Sequence, residues 1–226
     1  YNLGSLSNYK YKNKINFIFG DIRDYDSVNN AVSNNDIVFH LAALIGIPYS
    51  YISPNAYIKT NVEGTYNVLE SCRNNKISKV VITSTSEVYG SANYIPMDEK
   101  HPLQPQSPYS ASKISADNLA LSYYYSFNSP VSIIRPFNTY GPRQSLRAII
   151  PTIISQVLNS ENEYIKLGSL NPKRDLTFIS DTVRAFEMML ENNKINGEVI
   201  NIGSGFEIQI KNLANLIAKC CGKKIK

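Results

Sequence analysis

The sequence is poor in the residues that mark several protein classes. It has three cysteines, Cys72, Cys220 and Cys221, and no tryptophan among 226 residues. An odd and sparse set of cysteines is not a disulfide framework. The net charge is +5, yet no run of five like charges occurs and the basic residues are dispersed. Because proteins that bind nucleic acid cluster their basic residues on one face, we expect no nucleic-acid partner.

Long apolar runs and glycine-rich phosphate loops are absent as well. No stretch reaches the roughly 18 apolar residues that a membrane-spanning helix requires, so we expect a cytoplasmic protein that does not associate with a membrane. The chain contains neither G-x-G-x-x-G nor G-x-x-G-x-x-G. The run Gly203-Ser204-Gly205 is too short and comes too late in the chain to cradle a dinucleotide phosphate.

The chain does contain an alternation of short apolar runs with longer amphipathic stretches. With 43% hydrophobic and 18% charged residues, it can bury a sizeable core. The alternation predicts an α/β fold with a doubly wound parallel sheet and helices on both faces. The predicted strands are 15–19, 37–40, 79–83, 131–135 and 198–202, and the predicted helices are 26–33, 54–74, 109–127, 179–192 and 211–221.

Parallel sheets of this kind bind ligands beyond the carboxyl ends of their strands. The residues that directly follow each predicted strand are therefore the candidates for function. They are residues 20–21, 41–43, 84–87 and 136–138.

The first chemical candidate is a pair of residues four positions apart, Tyr109 and Lys113. On a helix this spacing places both side chains on one face. A nearby ammonium favours the phenolate and so lowers the pKa of a tyrosine, which allows the phenolate to take a proton from a substrate hydroxyl. With 16 Tyr and 16 Lys in the chain, about one such pair is expected by chance, so the spacing alone is weak. The context strengthens it, because a buried strand followed by hydroxyls and a carboxylate precedes this helix.

The segments in their order and spacing resemble the extended short-chain dehydrogenase/reductase superfamily, in its NAD-dependent epimerase/dehydratase branch. The resemblance covers nearly the whole chain and implies a Rossmann-type sheet with a small C-terminal substrate domain. It places residues 1–140 and 176–202 in the NAD-binding domain, and residues 141–175 and 203–226 in the substrate-binding portion. The matching segments are GDIRD (20–24), HLAA (40–43), NVEGT (61–65), STSEVYG (84–90), YSASK (109–113), RPFNTYGPR (135–143) and RDLTFISD (174–181).

The resemblance also implies that this chain is a fragment. Members of the family begin with a strand, a G-x-x-G-x-x-G loop, a helix, a second strand and an acidic residue that binds the adenosine ribose. We expect these N-terminal strands and part of the C-terminus to be missing, roughly 100 residues in all. We also expect the 226 residues alone to fold poorly and not to hold NAD.

The resemblance implies NAD as the cofactor and assigns residues to it. Tyr109 is the base, and Lys113 binds the ribose while tuning Tyr109. Thr83, or its neighbour Ser84, lines the nicotinamide side. The remaining implied contacts are Asp21 and Ile22 to the adenine, Leu41, Ala42 and Ala43 along the cofactor, Thr60 close by, and Pro136 near the nicotinamide amide.

A nucleotide-diphosphate sugar is the implied substrate, and no metal site is assigned. By this resemblance, Asn138 is expected to donate a hydrogen bond to the diphosphate. Arg174 is the best candidate for a phosphate contact because a guanidinium binds phosphate bidentately. Arg147 is a second candidate, and the alternative interpretation of Arg147, as a solvent-exposed helix residue, has equal weight. The resemblance further implies a homodimer of the complete protein, packed through the helices at 54–74 and 109–127.

The tripeptide Thr85-Ser86-Glu87 separates the possible reactions. Related epimerases usually lack a glutamate there, dehydratases of deoxythymidine diphosphate glucose carry Thr-Asp-Glu, and GDP-mannose 4,6-dehydratases and UDP-glucuronate decarboxylases carry Thr-Ser-Glu. The implied dehydratase roles are Thr85 on the sugar 4-oxygen and Glu87 as the base for the C5 proton. Ser86, an implied substrate contact, stands where some relatives have an acidic residue, so the proton donor to the leaving 6-hydroxyl is open, with Glu87 as a candidate for both steps.

The segment 135–151 favours a dehydratase, because it resembles the 4,6-dehydratases that make a 4-keto-6-deoxy N-acetylglucosamine nucleotide. The expected substrate is then UDP- or GDP-N-acetylglucosamine. The alternatives are a UDP-glucuronate decarboxylase, a nucleotide-sugar 4-epimerase and, in a different class, an inactive fragment that binds NAD or a nucleotide sugar.

Overall fold

The computed structural model describes Leu6 and residues 9–159 and 164–225. The chain divides into two units, the first made from Tyr1–Pro136 and Arg184–Ile202 and the second from Phe137–Val183 and Gly203–Lys226. The strands are β1 (Ile37–His40), β2 (Lys79–Thr83), β3 (Val131–Pro136), β4 (Asn138–Tyr140), β5 (Lys173–Phe178), β6 (Val199–Ile202) and β7 (Glu207–Gln209). The α-helices are α1 (Tyr25–Val32), α2 (Ile47–Ile52), α3 (Pro54–Tyr57), α4 (Gly64–Asn74), α5 (Pro108–Phe127), α6 (Ile149–Asn159), α7 (Ile179–Glu191) and α8 (Ile210–Cys220).

The first unit is built on a parallel sheet with the order β1-β2-β3-β6. Side chains alternate between the faces of a strand, and β2 shows the consequence. Val80 and Ile82 pack into a core with α1, α4 and α5, whereas Val81 packs with residues of α7 in a separate core. Both faces of the sheet are thus covered by helices, which explains why β2 is a continuous apolar run. The predicted doubly wound α/β fold is confirmed, and β1 and β2 have the predicted bounds.

The longest helix, α5, begins at a capping box. The Ser107 hydroxyl accepts a hydrogen bond from the backbone N–H of Ser110, and the Ser110 hydroxyl accepts one from the backbone N–H of Ser107, each at 3.0 Å. Pro108 occupies the first turn, where its missing N–H costs nothing. These local signals fix the start of the helix that carries Tyr109 and Lys113.

The helix predicted for residues 54–74 is interrupted. A π-helical turn, Ile58–Glu63, separates α3 from α4. Gly64 opens α4 directly against Ile22, where an added Cβ would lie 2.6 Å from the Ile22 Cδ1 atom. The backbone therefore makes a close approach that only glycine permits, and this contact holds the segment after residue 20 against α4.

The strand predicted for residues 15–19 does not form, and this prediction was wrong. The apolar side chains of this segment are largely exposed, Phe19 by 67%. A β-strand exists through its hydrogen bonds to a neighbouring strand, and no strand among the described residues pairs with this one. An apolar, β-branched composition is therefore not sufficient here.

The second unit has a small mixed sheet and its own core. β4 pairs parallel with β5, and β5 pairs antiparallel with β7. Apolar side chains of α6 and α8, among them Ile153 and Leu213, form the core. The run Gly203-Ser204-Gly205 wraps around the Asp175 carboxylate, which accepts hydrogen bonds from the backbone N–H groups of Ser204 (2.8 Å) and Gly205 (2.9 Å). Gly205 has φ = 78°, a conformation that favours glycine, so these glycines stabilise a turn within the unit.

Helices in the described ranges do not reach the combined length and apolarity of a bilayer-spanning segment.

The capping box makes a prediction about stability. Replacing Ser107 by alanine removes the oxygen that accepts from the Ser110 N–H, and the loss of such a cap lowers the free energy of unfolding by about 0.5–2 kcal/mol. Urea denaturation of the complete gene product, followed by circular dichroism, measures the change. Ser126→Ala, at an exposed position near the other end of the same helix, is the matched control and is expected to leave the unfolding midpoint unchanged. An equal effect of the two substitutions would contradict the role of the cap.

Candidate active site

The residues of interest in the first unit lie where β2 ends and α5 begins. Tyr109 and Lys113 stand one helical turn apart on α5, and only 7% and 3% of their surfaces are exposed. The Lys113 ammonium donates a 2.7 Å hydrogen bond to the carbonyl oxygen of Thr83, the last residue of β2. Helix and strand are therefore joined through a charged group at the end of the sheet where parallel folds bind ligands.

Burial and a neighbouring carboxylate affect the pKa of Lys113 in opposite directions. Taking the amine out of water lowers its pKa, and the negative charge of Asp117 acts in the opposite direction. Asp117 lies a further turn along α5 and is itself 1% exposed. Its Oδ2 atom accepts hydrogen bonds from the Ser84 hydroxyl at 2.7 Å and from Nε and Nη2 of Arg135 at 3.0 and 2.9 Å. The cluster thus contains two buried cations around one buried carboxylate.

The pKa of Tyr109 is raised to about 12. The largest cause is burial, which disfavours the phenolate, and the negative charges of Glu87 and Asp117 add to it, while a hydrogen bond with the Thr85 side chain acts to lower the pKa. The lowering that the spacing to Lys113 suggests is therefore not found. The physical reason is that the ammonium is bonded to the Thr83 carbonyl oxygen, and that desolvation of the phenol dominates.

The predicted tripeptide Thr85-Ser86-Glu87 follows β2 and is half-buried. The Thr85 hydroxyl accepts a 3.2 Å hydrogen bond from the Glu87 backbone N–H and caps the short 3-10 helix Ser86–Tyr89. The Glu87 charge raises the pKa of Tyr109 and the Thr85 hydrogen bond lowers it, which associates the carboxylate and the hydroxyl with the phenol. A carboxylate, a hydroxyl, a phenol and an ammonium are therefore brought together, which is an arrangement suited to proton transfer.

The segment after β1 is held by a network of neutral polar groups. The Thr65 hydroxyl donates to the Asn61 carbonyl oxygen at 2.6 Å, so it accepts from Nε2–H of His40 at 3.0 Å. The Asn61 side chain accepts from the Leu44 N–H at 2.8 Å and donates to the Leu44 carbonyl oxygen and to the Ser112 hydroxyl, both at 2.9 Å. These bonds tie the loop to α5.

The predicted cofactor residues of this loop lie just before that anchor. Leu41 and Ala42 are exposed, and Ala43 and Thr60 are partly buried. Pro136, at the end of β3, is also partly buried. Small and apolar side chains therefore border the carboxyl end of β1.

Asp21 and Ile22 lie in the turn before α1. The exposed Asp21 carboxylate accepts hydrogen bonds from the Arg23 guanidinium, with Nη2 at 2.5 Å, and from its backbone N–H at 2.9 Å. These bonds hold the pKa of Asp21 at about 2, so the group is ionised near neutral pH. The Asn67 side chain donates to the Ile22 carbonyl oxygen at 2.9 Å and fixes the turn to α4.

The second unit contains a cavity of about 570 Å³. Asn138 and Arg174, two of the predicted substrate residues, both line it, together with Gln144 and several apolar residues of α6 and its surroundings. Arg174 is exposed and donates to the Lys173 carbonyl oxygen at 2.8 Å. Arg147, the third predicted residue, is exposed in the turn before α6, and the lining includes its neighbour Ala148 but not Arg147.

Sequence reasoning gave no role to Asp117 or Asn61. Asp117 follows Lys113 by four residues and Tyr109 by eight, so the helical period that groups the first two residues also includes it. Asn61 stands in one of the motifs that carry the resemblance, but a buried amide gives no local signal in a sequence.

Comparison with known proteins places this geometry in a family. The family model described as GDP-mannose 4,6 dehydratase matches residues 1–226. The chain is 38% identical over 219 residues to a dTDP-D-glucose 4,6-dehydratase of Dictyostelium discoideum, covering 90% of this chain and 50% of that protein. The chain thus spans about half the length of that relative.

Solved structures with the same fold include a dehydratase and an epimerase. The dTDP-glucose 4,6-dehydratase DesIV from Streptomyces venezuelae, solved with NAD bound, superimposes with a TM-score of 0.87 at 29% identity, covering 96% of this chain and 66% of that one. The UDP-glucuronic acid 4-epimerase from Bacillus cereus, in complex with UDP-glucuronic acid and NAD, gives 0.84 at 33% identity, covering 92% and 66%.

The buried His40 predicts how stability depends on pH. Burial, with a smaller effect from the Lys113 charge, lowers the pKa of His40 from 6.5 to about 3. Below pH 6.5 the unfolded chain therefore binds a proton that the folded chain does not, so stability is full above that pH and falls by about 1.4 kcal/mol for each pH unit below it, until about pH 3.

Urea unfolding of the complete gene product at pH 7.5 and pH 5.0 measures this effect. The native protein is expected to lose about 2 kcal/mol more than His40→Gln between the two pH values, because glutamine can still donate to Thr65 but does not titrate. Equal pH dependence of the two proteins would show that His40 is not held neutral.

Proposed function

Since the chain belongs to the GDP-mannose 4,6 dehydratase family, we propose that it carries the acid–base residues of an NAD-dependent nucleotide-sugar 4,6-dehydratase. The observation that carries the proposal is the placement of Glu87 beside Thr85 and Tyr109, next to the buried ammonium of Lys113. A carboxylate base in addition to Tyr109 has no use in a simple epimerisation at the 4-position, whereas elimination of water requires a second base.

The residues at the end of β2 fit a dinucleotide ribose. The Lys113 ammonium has three N–H donors, and in the described part of the chain its one hydrogen-bond acceptor is the Thr83 carbonyl oxygen. The Thr83 hydroxyl is buried and finds no hydrogen-bond partner among the described residues. Ribose hydroxyls, which both donate and accept, suit this pair, so we assign Lys113 and Thr83 to the cofactor.

NAD, when bound, supplies a hydride acceptor that also returns the hydride. The further cofactor contacts of the proposal border the carboxyl ends of the strands and the turn before α1. They are Asp21, Ile22, Leu41, Ala42, Ala43, Thr60 and Pro136.

The phenol oxygen of Tyr109 takes the proton from the sugar 4-hydroxyl, and the Thr85 hydroxyl hydrogen-bonds the sugar 4-oxygen. Because the pKa of Tyr109 is about 12 in this structure, the base role requires the positive charge of Lys113 to favour the phenolate once a ligand fills the site. The Thr85 hydrogen bond already acts in that direction.

Glu87 acts on the neighbouring carbon. A carbonyl at C4 makes the C5 proton acidic, and the Glu87 carboxylate removes it. Ser86, beside it, faces the substrate, and it has no acidic group to protonate the leaving 6-hydroxyl. Glu87 then gives the proton to that oxygen, so one carboxylate serves both steps and water leaves. C5 takes up a proton when the hydride is returned to C6, and the proton that Tyr109 took from the 4-hydroxyl balances it, so the net change is the loss of one water.

The proposed substrate is a nucleotide-linked N-acetylglucosamine with uridine or guanosine as the nucleoside. Asn138 and Arg174 contact its diphosphate, supported by their shared position at the cavity of the second unit, and Arg147 remains a further proposed contact. A 4-epimerase is the second candidate, because the Bacillus cereus 4-epimerase has the same fold at 33% identity.

The assay that tests the proposal follows product mass. The complete gene product is incubated with NAD and, separately, with UDP- and GDP-N-acetylglucosamine, dTDP-glucose and UDP-glucuronate. Loss of one water is the expected result with an N-acetylglucosamine nucleotide. Dehydration of dTDP-glucose alone would correct the substrate, loss of carbon dioxide from the glucuronate would indicate a decarboxylase, and an unchanged mass with an altered sugar NMR spectrum would indicate an epimerase.

Glu87→Gln tests the base. The amide cannot accept the C5 proton, so the rate of dehydration is expected to fall by at least about 100-fold. Glu191→Gln, at an exposed position at the end of α7, is the control and should retain the rate. Full dehydration by Glu87→Gln would assign the C5 proton to another group.

Arg174→Met tests the phosphate contact. Loss of a charge-assisted hydrogen bond to phosphate weakens binding by about 1.5–3 kcal/mol, which corresponds to a KM roughly 10- to 100-fold higher with little change in kcat. Steady-state kinetics measures both values, and Arg184→Met, an exposed position of α7, is the matched control. A fall in kcat at constant KM would refute a simple binding role.

A further inference from the structure

We propose that Asp117 is a positioning residue of this site, which fixes the end of β2 through Ser84 and provides the negative charge that the buried Lys113 ammonium requires. This inference rests on the proposed function for its catalytic consequence. The effect of Asp117 on the pKa of Lys113 does not depend on that function.

The first argument is the position of Asp117 on α5. Tyr109, Lys113 and Asp117 follow each other at intervals of four residues and are all buried. Asp117 is therefore the third member of the face that carries the proposed base and the ribose contact. It lies deepest of the three, since Tyr109 is 7%, Lys113 3% and Asp117 1% exposed.

The second argument is the anchoring of the carboxylate. Oδ2 receives three hydrogen bonds, one from the Ser84 hydroxyl and two from the Arg135 guanidinium. Arg135 is fixed in turn, because it donates to the Tyr89 hydroxyl at 2.9 Å, and that hydroxyl donates to the Asn201 side chain at 2.7 Å. Oδ1 is also buried, and no hydrogen-bond partner for it occurs among the described residues. Burial raises the pKa of Asp117, and the positive charges of Arg135 and Lys113 oppose that rise.

The third argument is the charge balance around Lys113. The groups that face it are His40 from β1, Asp117 and Tyr109 from its own helix and, beyond Asp117, Arg135 from β3. His40 is neutral, because burial and the Lys113 charge lower its pKa to about 3. Glu87 acts on the pKa of Tyr109 but is not among the groups that shift the pKa of Lys113. Asp117 is therefore the one carboxylate within the described residues that acts on the pKa of Lys113, and it offsets the effect of burial.

Without this charge, burial and the Arg135 guanidinium both disfavour the ammonium. A neutral Lys113 amine no longer favours the phenolate of Tyr109. Asp117 thus acts on the proton transfer through Lys113 and touches no reacting atom.

A direct measurement of Lys113 tests the proposal. The protein is labelled with ¹³C at the lysine Cε, the Lys113 signal is assigned with Lys113→Arg, and the signal is titrated with pH. Asp117→Asn has nearly the same shape without the charge, and it is expected to lower the pKa of Lys113 by about 1 to 3 pH units. Asp117→Glu keeps the charge, so it is expected to restore most of the native pKa of Lys113.

Two further variants separate charge from structure. Ser84→Ala removes one hydrogen bond to Oδ2 but leaves the carboxylate, so the titration of Lys113 should remain near the native midpoint. If Asp117→Asn fails to fold because Arg135 is left unpaired, the double variant Asp117→Asn/Arg135→Met removes both charges. Its midpoint for Lys113 should lie below that of the single variant Arg135→Met, which lacks the guanidinium but keeps the carboxylate, whereas a purely structural ion pair predicts equal midpoints in these two variants.

The pH profile of the complete gene product completes the test. The upper pH limit of kcat/KM should move down in Asp117→Asn together with the NMR midpoint. An unchanged Lys113 midpoint in the folded Asp117→Asn protein, or equal midpoints in the double variant and in Arg135→Met, would overturn the proposal. A shifted midpoint in a protein that turns over no nucleotide sugar would keep the positioning role and refute the proposed reaction.

Discussion

The burial of three charged side chains, Lys113, Asp117 and Arg135, constrains the end of the central sheet. A buried charge without a partner costs several kcal/mol, so α5 can pack against the strands in only a few positions that pair all three charges. Lys113 must reach the carbonyl oxygen of Thr83, and Asp117 must meet Arg135. Movement of the helix by one residue would break both contacts. The position of Tyr109, one turn before Lys113, is a consequence of this constraint.

The same burial that positions Tyr109 works against its proposed chemistry. Desolvation raises the pKa of the phenol, and a base near neutral pH needs the opposite. The Thr85 hydroxyl opposes this effect of desolvation, and in the proposed mechanism the Lys113 ammonium does so as the second group once a ligand fills the site. Asp117 preserves the second of them, because a lysine in an apolar interior loses its proton readily. The geometry of the site and its reactivity therefore both depend on the carboxylate of Asp117.

Much of the fold was predictable because the decisive signals are local. The β-branched runs of β1 and β2 fix those strands, and Ser107-Pro108 fixes the start of α5. The strand predicted for 15–19 failed for a non-local reason, since a strand needs a neighbour. The π-helical turn Ile58–Glu63 also depends on packing, because the sequence of this segment fits the period of an ordinary α-helix.

The sequence by itself determined the parallel sheet, the family resemblance and the grouping of Tyr109 with Lys113, because helical period and motif order can be read along the chain. The tertiary structure alone decided the direction in which the pKa of Tyr109 shifts, because burial depends on residues far apart in sequence. It also decided the partnership of Asp117 with Arg135, which lie 18 residues apart on a helix and a strand. A charged pair of this kind is invisible until the chain folds, since only burial makes the pairing of its charges obligatory.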